Sequence, residues 1–248
     1  MAILEICCFS LDSCIIAEAH GADRIELCSN PLEGGTTPSY GMIKAARQAV
    51  KIPIFPIIRP RGGDFLYNEL EFLSIKEDIR FCKSAGCEGI VTGLLLEDGR
   101  VDSERLSMLV DLAYPMEVTF HRAFDRAADP FGALELIIKA GCQRILSSGQ
   151  MPTAEEGLPL LSQLIDAAKD RIVIMPGSGL RSGNIQALAD ACGAKEFHSS
   201  ARVAVPSKMN FFNQAMGDDL STVECDGEEI RKMAGILRSA ISIEGEVM

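Results

Sequence analysis

The chain has 248 residues, 47% of them hydrophobic, and a formal net charge of −11. That is apolar material for one sizeable core, and α/β barrels commonly use this length as a single domain. The negative charge speaks against nucleic acid or an anionic membrane as partner, and no stretch is apolar enough to span a bilayer.

Nine cysteines, odd in number and without paired spacing, do not make a secreted disulfide framework. Glu5 stands where a signal peptide would need an apolar core. A reduced, cytoplasmic chain is expected.

In chain order, strands are predicted at 3–7, 24–28, 53–58, 89–92, 116–121, 144–147, 172–175 and 196–199. Helical patterns fill the gaps at 40–50, 69–85, 102–113, 131–140, 154–169 and 181–191. Gly21, Gly86, Gly141 and Gly193 each follow a helix end and precede a strand. Glycine there supplies the left-handed residue that stops a helix cheaply. The four recur at roughly twice the length of a βα unit. This repeat favours a closed, single-domain TIM (β/α)8 barrel over an open doubly wound sheet. Residues 201–226 read as a long, weakly patterned loop carrying Phe211 and Phe212, before a last helix at 227–242. Such a loop serves as a lid or a subunit contact, and a homo-oligomer is expected.

Strand side chains alternate between faces, and that parity yields an unusual inner surface. Glu5 with Cys7, Glu26 with Cys28, and Glu196 with His198 share inner sides, while Arg59 follows the third strand and His121 ends the fifth. Glu5, Cys7, Glu26, Cys28, Arg59, His121 and His198 should all open toward the C-terminal face. Leu4, Ile6, Ile25, Leu27, Phe120 and Phe197 fall on the outer sides, beneath helices. Buried charge must be paired, so the carboxylates are expected to meet Arg59, Arg61, Arg122 or a histidine. The result is either a structural ion-pair plug or a functional pocket.

Cys7 and Cys28 lie at corresponding ends of adjacent inner strands. Two soft thiols without a zinc pattern suit Cu(I), whereas ordinary buried cysteines pack as small hydrophobes. Nearby carboxylates would raise their pKa and nearby arginines would lower it. Cys8, Cys14, Cys82, Cys87, Cys142, Cys192 and Cys225 are assigned to the core.

The loops after the seventh and eighth strands offer backbone donors for an anion, at Gly177, Ser178 and Gly179, and at Ser199 and Ser200, with a helix start at Arg181. Ser147 and Ser148 add donors, and the basic loop at 59–64 adds charge. No lysine ends a strand, which argues against a Schiff-base aldolase. No Ser-His-Asp order and no zinc-type histidine cluster is present. His121 with Asp125 or a strand-end glutamate could do acid–base work. His20 is read as a helix C-terminus partner.

The segments at 21–28, 33–39, 56–65, 119–125 and 196–201 resemble the CutC copper homeostasis family. They include Arg24-Ile25-Glu26-Leu27-Cys28, Arg59-Pro60-Arg61-Gly62-Gly63-Asp64 and His121-Arg122-Ala123-Phe124-Asp125. The resemblance runs from Glu5 to Arg202. It implies a cytoplasmic TIM barrel that handles copper, with Cys7 and Cys28 holding Cu(I), and it implies no reaction. The competing reading is an enzyme for a small anionic or phosphorylated metabolite, built on His121, Arg59, Glu5, Glu26 and Asp125. A scaffold with a relict site is a third.

Overall fold

The computed structural model describes residues 2–239. In order they form β1 (Ile3–Cys8), α1 (Leu11–Ala19), β2 (Arg24–Leu27), α2 (Tyr40–Ala49), β3 (Ile54–Pro56), α3 (Glu69–Ser84), β4 (Gly89–Thr92), α4 (Ser103–Ala113), β5 (Glu117–Phe120) and α5 (Pro130–Ala140). There follow β6 (Arg144–Ser147), α6 (Leu158–Ala168), β7 (Val173–Pro176), α7 (Ile185–Cys192), β8 (Glu196–Ser199), β9 (Arg202–Val205), β10 (Thr222–Cys225) and α8 (Gly227–Ser239).

Short polar residues start the helices. Ser10, Ser39, Asn68, Asp102 and Asp129 each accept a backbone N–H of the following turn, and Asn68 completes a capping box with Glu71. At the other ends, Gly21, Gly86, Gly141 and Gly193 hold φ of +99°, +78°, +93° and +66°. The repeated glycines are therefore the left-handed stops that their spacing predicts. His20 closes α1 with Nδ1 2.8 Å from the Ile16 carbonyl oxygen.

Two parallel ladders, β3-β2-β1-β8 and β4-β5-β6-β7, carry the eight expected strands. Ile57 bridges to Val91, which joins β3 to β4, and β7 runs beside β8. The ring closes as a TIM barrel. Leu4, Ile6, Ile25, Leu27, Phe120 and Phe197 all lie in the core between strands and helices, as parity requires. Cys7, Cys28, Phe55, Ile57 and Val91 form a separate apolar cluster inside.

Two differences from the expectation bear on the site. Residues 201–226 are not loop throughout, because β9 and β10 pair antiparallel, with Arg202 opposite Cys225. Most of β9 faces solvent, so no apolar alternation marked it. Helix α7 begins at Ile185 rather than Arg181, whose N–H donates to Asn184 Oδ1 in a preceding turn. Residues 240–242 of the expected terminal helix lie outside the described residues. Among those described, no helix is long and apolar enough to cross a membrane.

Candidate functional site

The barrel interior is stacked in three layers. At the N-terminal end lies an ion-pair plug. Arg24 reaches Glu5 and Glu196, each at 2.5 Å, and Arg144 reaches Glu196 at 3.1 Å and Glu117 at 2.7 Å. The two guanidinium carbons sit 5.1 and 5.3 Å from the Phe55 ring centroid. Gly89 makes room for that ring, since a Cβ there would lie 2.4 Å from it. The expected partners Arg59, Arg61 and Arg122 are engaged elsewhere. Arg59 bonds the carbonyls of Glu33, Gly35 and Gly63, Arg61 pairs with Glu71 and Asp64, and Arg122 pairs with Asp125. These three leave from loops past the strand ends, above the carboxylate layer.

The middle layer holds the thiols. Cys7 and Cys28 place their Sγ atoms 3.5 Å apart, in hydrogen-bond contact. The register sets Cys7 against Glu26 rather than Cys28, so the sulfurs meet on a diagonal. Gly35 leaves the space that Cys28 occupies, a Cβ there lying 3.2 Å from its sulfur. His198 offers Nδ1 to Glu5 Oε1 at 2.8 Å and turns Nε2 toward Glu26 Oε2 at 3.7 Å. Ligand atoms of Cys7, Glu26 and His198 lie within 4.8 Å of one another.

Electrostatics here are set by burial and pairing. Burial pushes the Glu5 carboxyl up, but Arg24 and His198 outweigh it and hold it at about 2. Burial raises Glu26, and His198 offsets this only in part. Burial lowers His198, yet its Glu5 hydrogen bond and the Glu26 charge raise it overall. The Cys28 hydrogen bond favours the Cys7 thiolate, but burial and the Glu26 carboxylate win and push Cys7 up to about 12. Burial and Cys7 also drive Cys28 well upward. Of the two opposing influences expected on the thiols, the carboxylate prevails: Glu26 raises both, and neither Arg59 nor Arg61 is among the groups that act on them.

The upper layer is the C-terminal mouth, a cavity of about 500 Å³ with Cys7, Glu26 and His198 at its floor and Arg59 and His121 in its wall. Cys28 and Glu5 are not among the residues that line it. The His121 ring packs on Phe65 at 4.9 Å between centroids, and its Nδ1 accepts the Ala123 N–H. Burial, then the Arg59 charge, lowers His121 to about 3. Asp125 does not bond His121. Its carboxylate accepts from Arg122, Ser147, Ser148 and Gln150.

The two rim loops are only partly as expected. The Gly177 amide donates to Ser147 within the sheet, and its missing side chain clears Leu146 by necessity, a Cβ falling 2.4 Å from it. The hydroxyls of Ser178 and Ser199 are bound to the Pro152 and Leu180 carbonyls. Ser178, Gly179, Ser199 and Ser200 do border the cavity. Parity reasoning missed Arg24, Arg144 and Glu117, although the same alternation points them inward. The remaining cysteines are buried, and Cys8 Sγ lies 3.9 Å from Cys225 Sγ outside the barrel wall.

A model of the CutC family matches residues 2–203. A curated relative from Chromobacterium violaceum, named as a family protein CutC, is 50% identical over 244 residues, covering 96% of this chain and 99% of its own. The structure of the protein named CutC, for copper homeostasis, from Streptococcus agalactiae superposes with a TM-score of 0.77 at 32% identity, covering 81% of this chain and 99% of that one. Thiamine phosphate pyrophosphorylase from Pyrococcus furiosus shares the fold at TM-score 0.61 and 14% identity, covering 97% of both chains.

Proposed function

The chain belongs to the CutC copper homeostasis family, and from that premise we propose that it handles copper by holding Cu(I) between Cys7 and Cys28. The observation that carries this reading is the sulfur pair itself, 3.5 Å apart with Cys7 opening to the mouth cavity. Soft thiolate donors suit Cu(I) and reject hard ions such as Mg²⁺. Metal–sulfur bonds of about 2.3 Å span that separation at a bond angle of about 100°. Both sulfurs therefore reach one ion without backbone movement. A bent pair leaves room for a third donor, and His198 Nε2 stands near Cys7 with its other nitrogen oriented by Glu5, the usual support for a metal-binding imidazole. All nine cysteines are free, which suits the reducing cytoplasm where we place the chain.

A competition titration under anaerobic, reducing conditions tests the proposal. One Cu(I) per chain is expected. Cys7→Ser and Cys28→Ser should each remove most of the affinity, with little further loss on combining them, whereas His121→Phe should leave it intact. Undiminished binding by the double variant would overturn the assignment.

A further inference from the structure

The mouth above the thiols carries donors that take no part in the proposed copper site. His121 and Arg59 are only 4% and 5% exposed, and each keeps a buried nitrogen without a partner among the described residues, Nε2 and Nε respectively. Both side chains line the cavity. Because His121 Nδ1 accepts the Ala123 N–H, the neutral ring carries its proton on Nε2, so that atom is a donor. Arg59 Nε is a donor by its nature. A buried donor left unpaired is unfavourable; Arg59 has the buried Tyr67 hydroxyl beside it, whereas His121 Nε2 calls for an acceptor supplied from outside the protein.

The rim is also rich in charged donors. The guanidinium groups of Arg59, Arg181 and Arg202 bond only backbone carbonyls, and among the described residues none meets a carboxylate. Among the described residues, Glu26, on the floor, is the one acidic residue that lines the cavity. This is a basic mouth on a chain of net charge −11. On the rim, the amides of Ser178, Gly179 and Ser200 donate to no other group among the described residues. Ser178 is held at φ +80°, a conformation rare for serine, by its hydroxyl on the Pro152 carbonyl and its own carbonyl on the Ala154 N–H. Rims after the seventh and eighth strands of such barrels commonly cradle phosphate.

We propose that this cavity binds a small organic monophosphate, with its phosphoryl group on the Ser178, Gly179 and Ser200 amides and Arg202. A hydroxyl or carbonyl oxygen of the same molecule accepts from His121 Nε2. A volume of about 500 Å³ suits a sugar-phosphate-sized ligand. The inference does not rest on the copper reading, since none of these donors is a sulfur.

Amide chemical-shift mapping of the full chain, with inorganic phosphate and ribose 5-phosphate as probes, tests it. Both should shift the Ser178, Gly179 and Ser200 amides saturably. Ribose 5-phosphate should bind about tenfold tighter and also shift the His121 ring, the increment that one good hydrogen bond to a buried donor supplies. Arg202→Gln, on an exposed side chain, should weaken both probes. His121→Phe should weaken ribose 5-phosphate alone. The Cys7→Ser/Cys28→Ser chain should bind both unchanged, which separates this proposal from the copper site. Shifts confined to other loops, equal affinity for the two probes, or indifference to Arg202→Gln would overturn it.

Discussion

Replacing Arg24 by methionine should cost about 3 to 5 kcal/mol of folding stability at neutral pH, because it leaves buried carboxylates without their cation. Arg24 bonds Glu5 and Glu196 at 2.5 Å each, and both acids are nearly inaccessible. Glu196 keeps Arg144 in the variant, whereas Glu5 keeps only His198. The pH dependence gives a second, independent reading. Glu5 sits at about 2 in the folded chain against an ordinary 4.5. A carboxyl depressed to that degree contributes about 3 kcal/mol above pH 4.5, lost as pH falls toward 2. Without Arg24, burial is no longer outweighed, the Glu5 carboxyl rises, and this contribution shrinks. Urea unfolding of both chains at pH 7 and at pH 3 measures the effect. The gap between them should be wide at pH 7 and narrower at pH 3, with Arg24→Lys intermediate. A loss below about 1 kcal/mol at pH 7, the scale of a surface pair, or a gap unchanged in acid, would refute the plug as a paired buried network.

Gly89→Ala should destabilise by about 1 to 3 kcal/mol by driving a methyl group into the Phe55 ring, while Gly235→Ala, with nothing within 4 Å, should be neutral or stabilising in thermal melts. His121 should stay neutral in ring-proton titrations down to about pH 3, and because its folded pKa is depressed, its contribution to stability is full above about pH 6.5 and declines as pH falls toward 3. His121→Phe should flatten that slope in denaturation curves. Cu(I) affinity should rise about a hundredfold per pH unit between pH 6 and 8, since both raised thiols must release a proton to bind. A flat profile would mean that the pair is already ionised.

Strand parity carried much of this site from sequence. Glu5, Cys7, Glu26 and His198 stand on the inner face because alternation with period two leaves no choice once Ile6, Ile25 and Phe197 are buried outside. The same rule would have placed Arg24, two residues before Glu26, beside the carboxylates, and the plug follows from it. Arg59 was beyond that rule, because β3 ends at Pro56 and the chain beyond it is shaped by carbonyls at Glu33, Gly35 and Gly63. The diagonal meeting of Cys7 with Cys28 depends on the stagger between β1 and β2, which alternation within one strand does not encode. The fits of Phe55 over Gly89 and of Leu146 against Gly177 join neighbouring strands across a whole intervening helix, so no local pattern announces them.

Copper K-edge X-ray absorption on the Cu(I)-loaded chain tests the central claim most directly, because it counts sulfur neighbours without reference to activity. Two thiolate sulfurs are predicted for the native chain, and none for the Cys7→Ser/Cys28→Ser chain loaded under the same conditions. A two-sulfur signature that survives in that double variant would contradict the account and move the copper to other thiols, with the Cys8–Cys225 pair at 3.9 Å the first to examine.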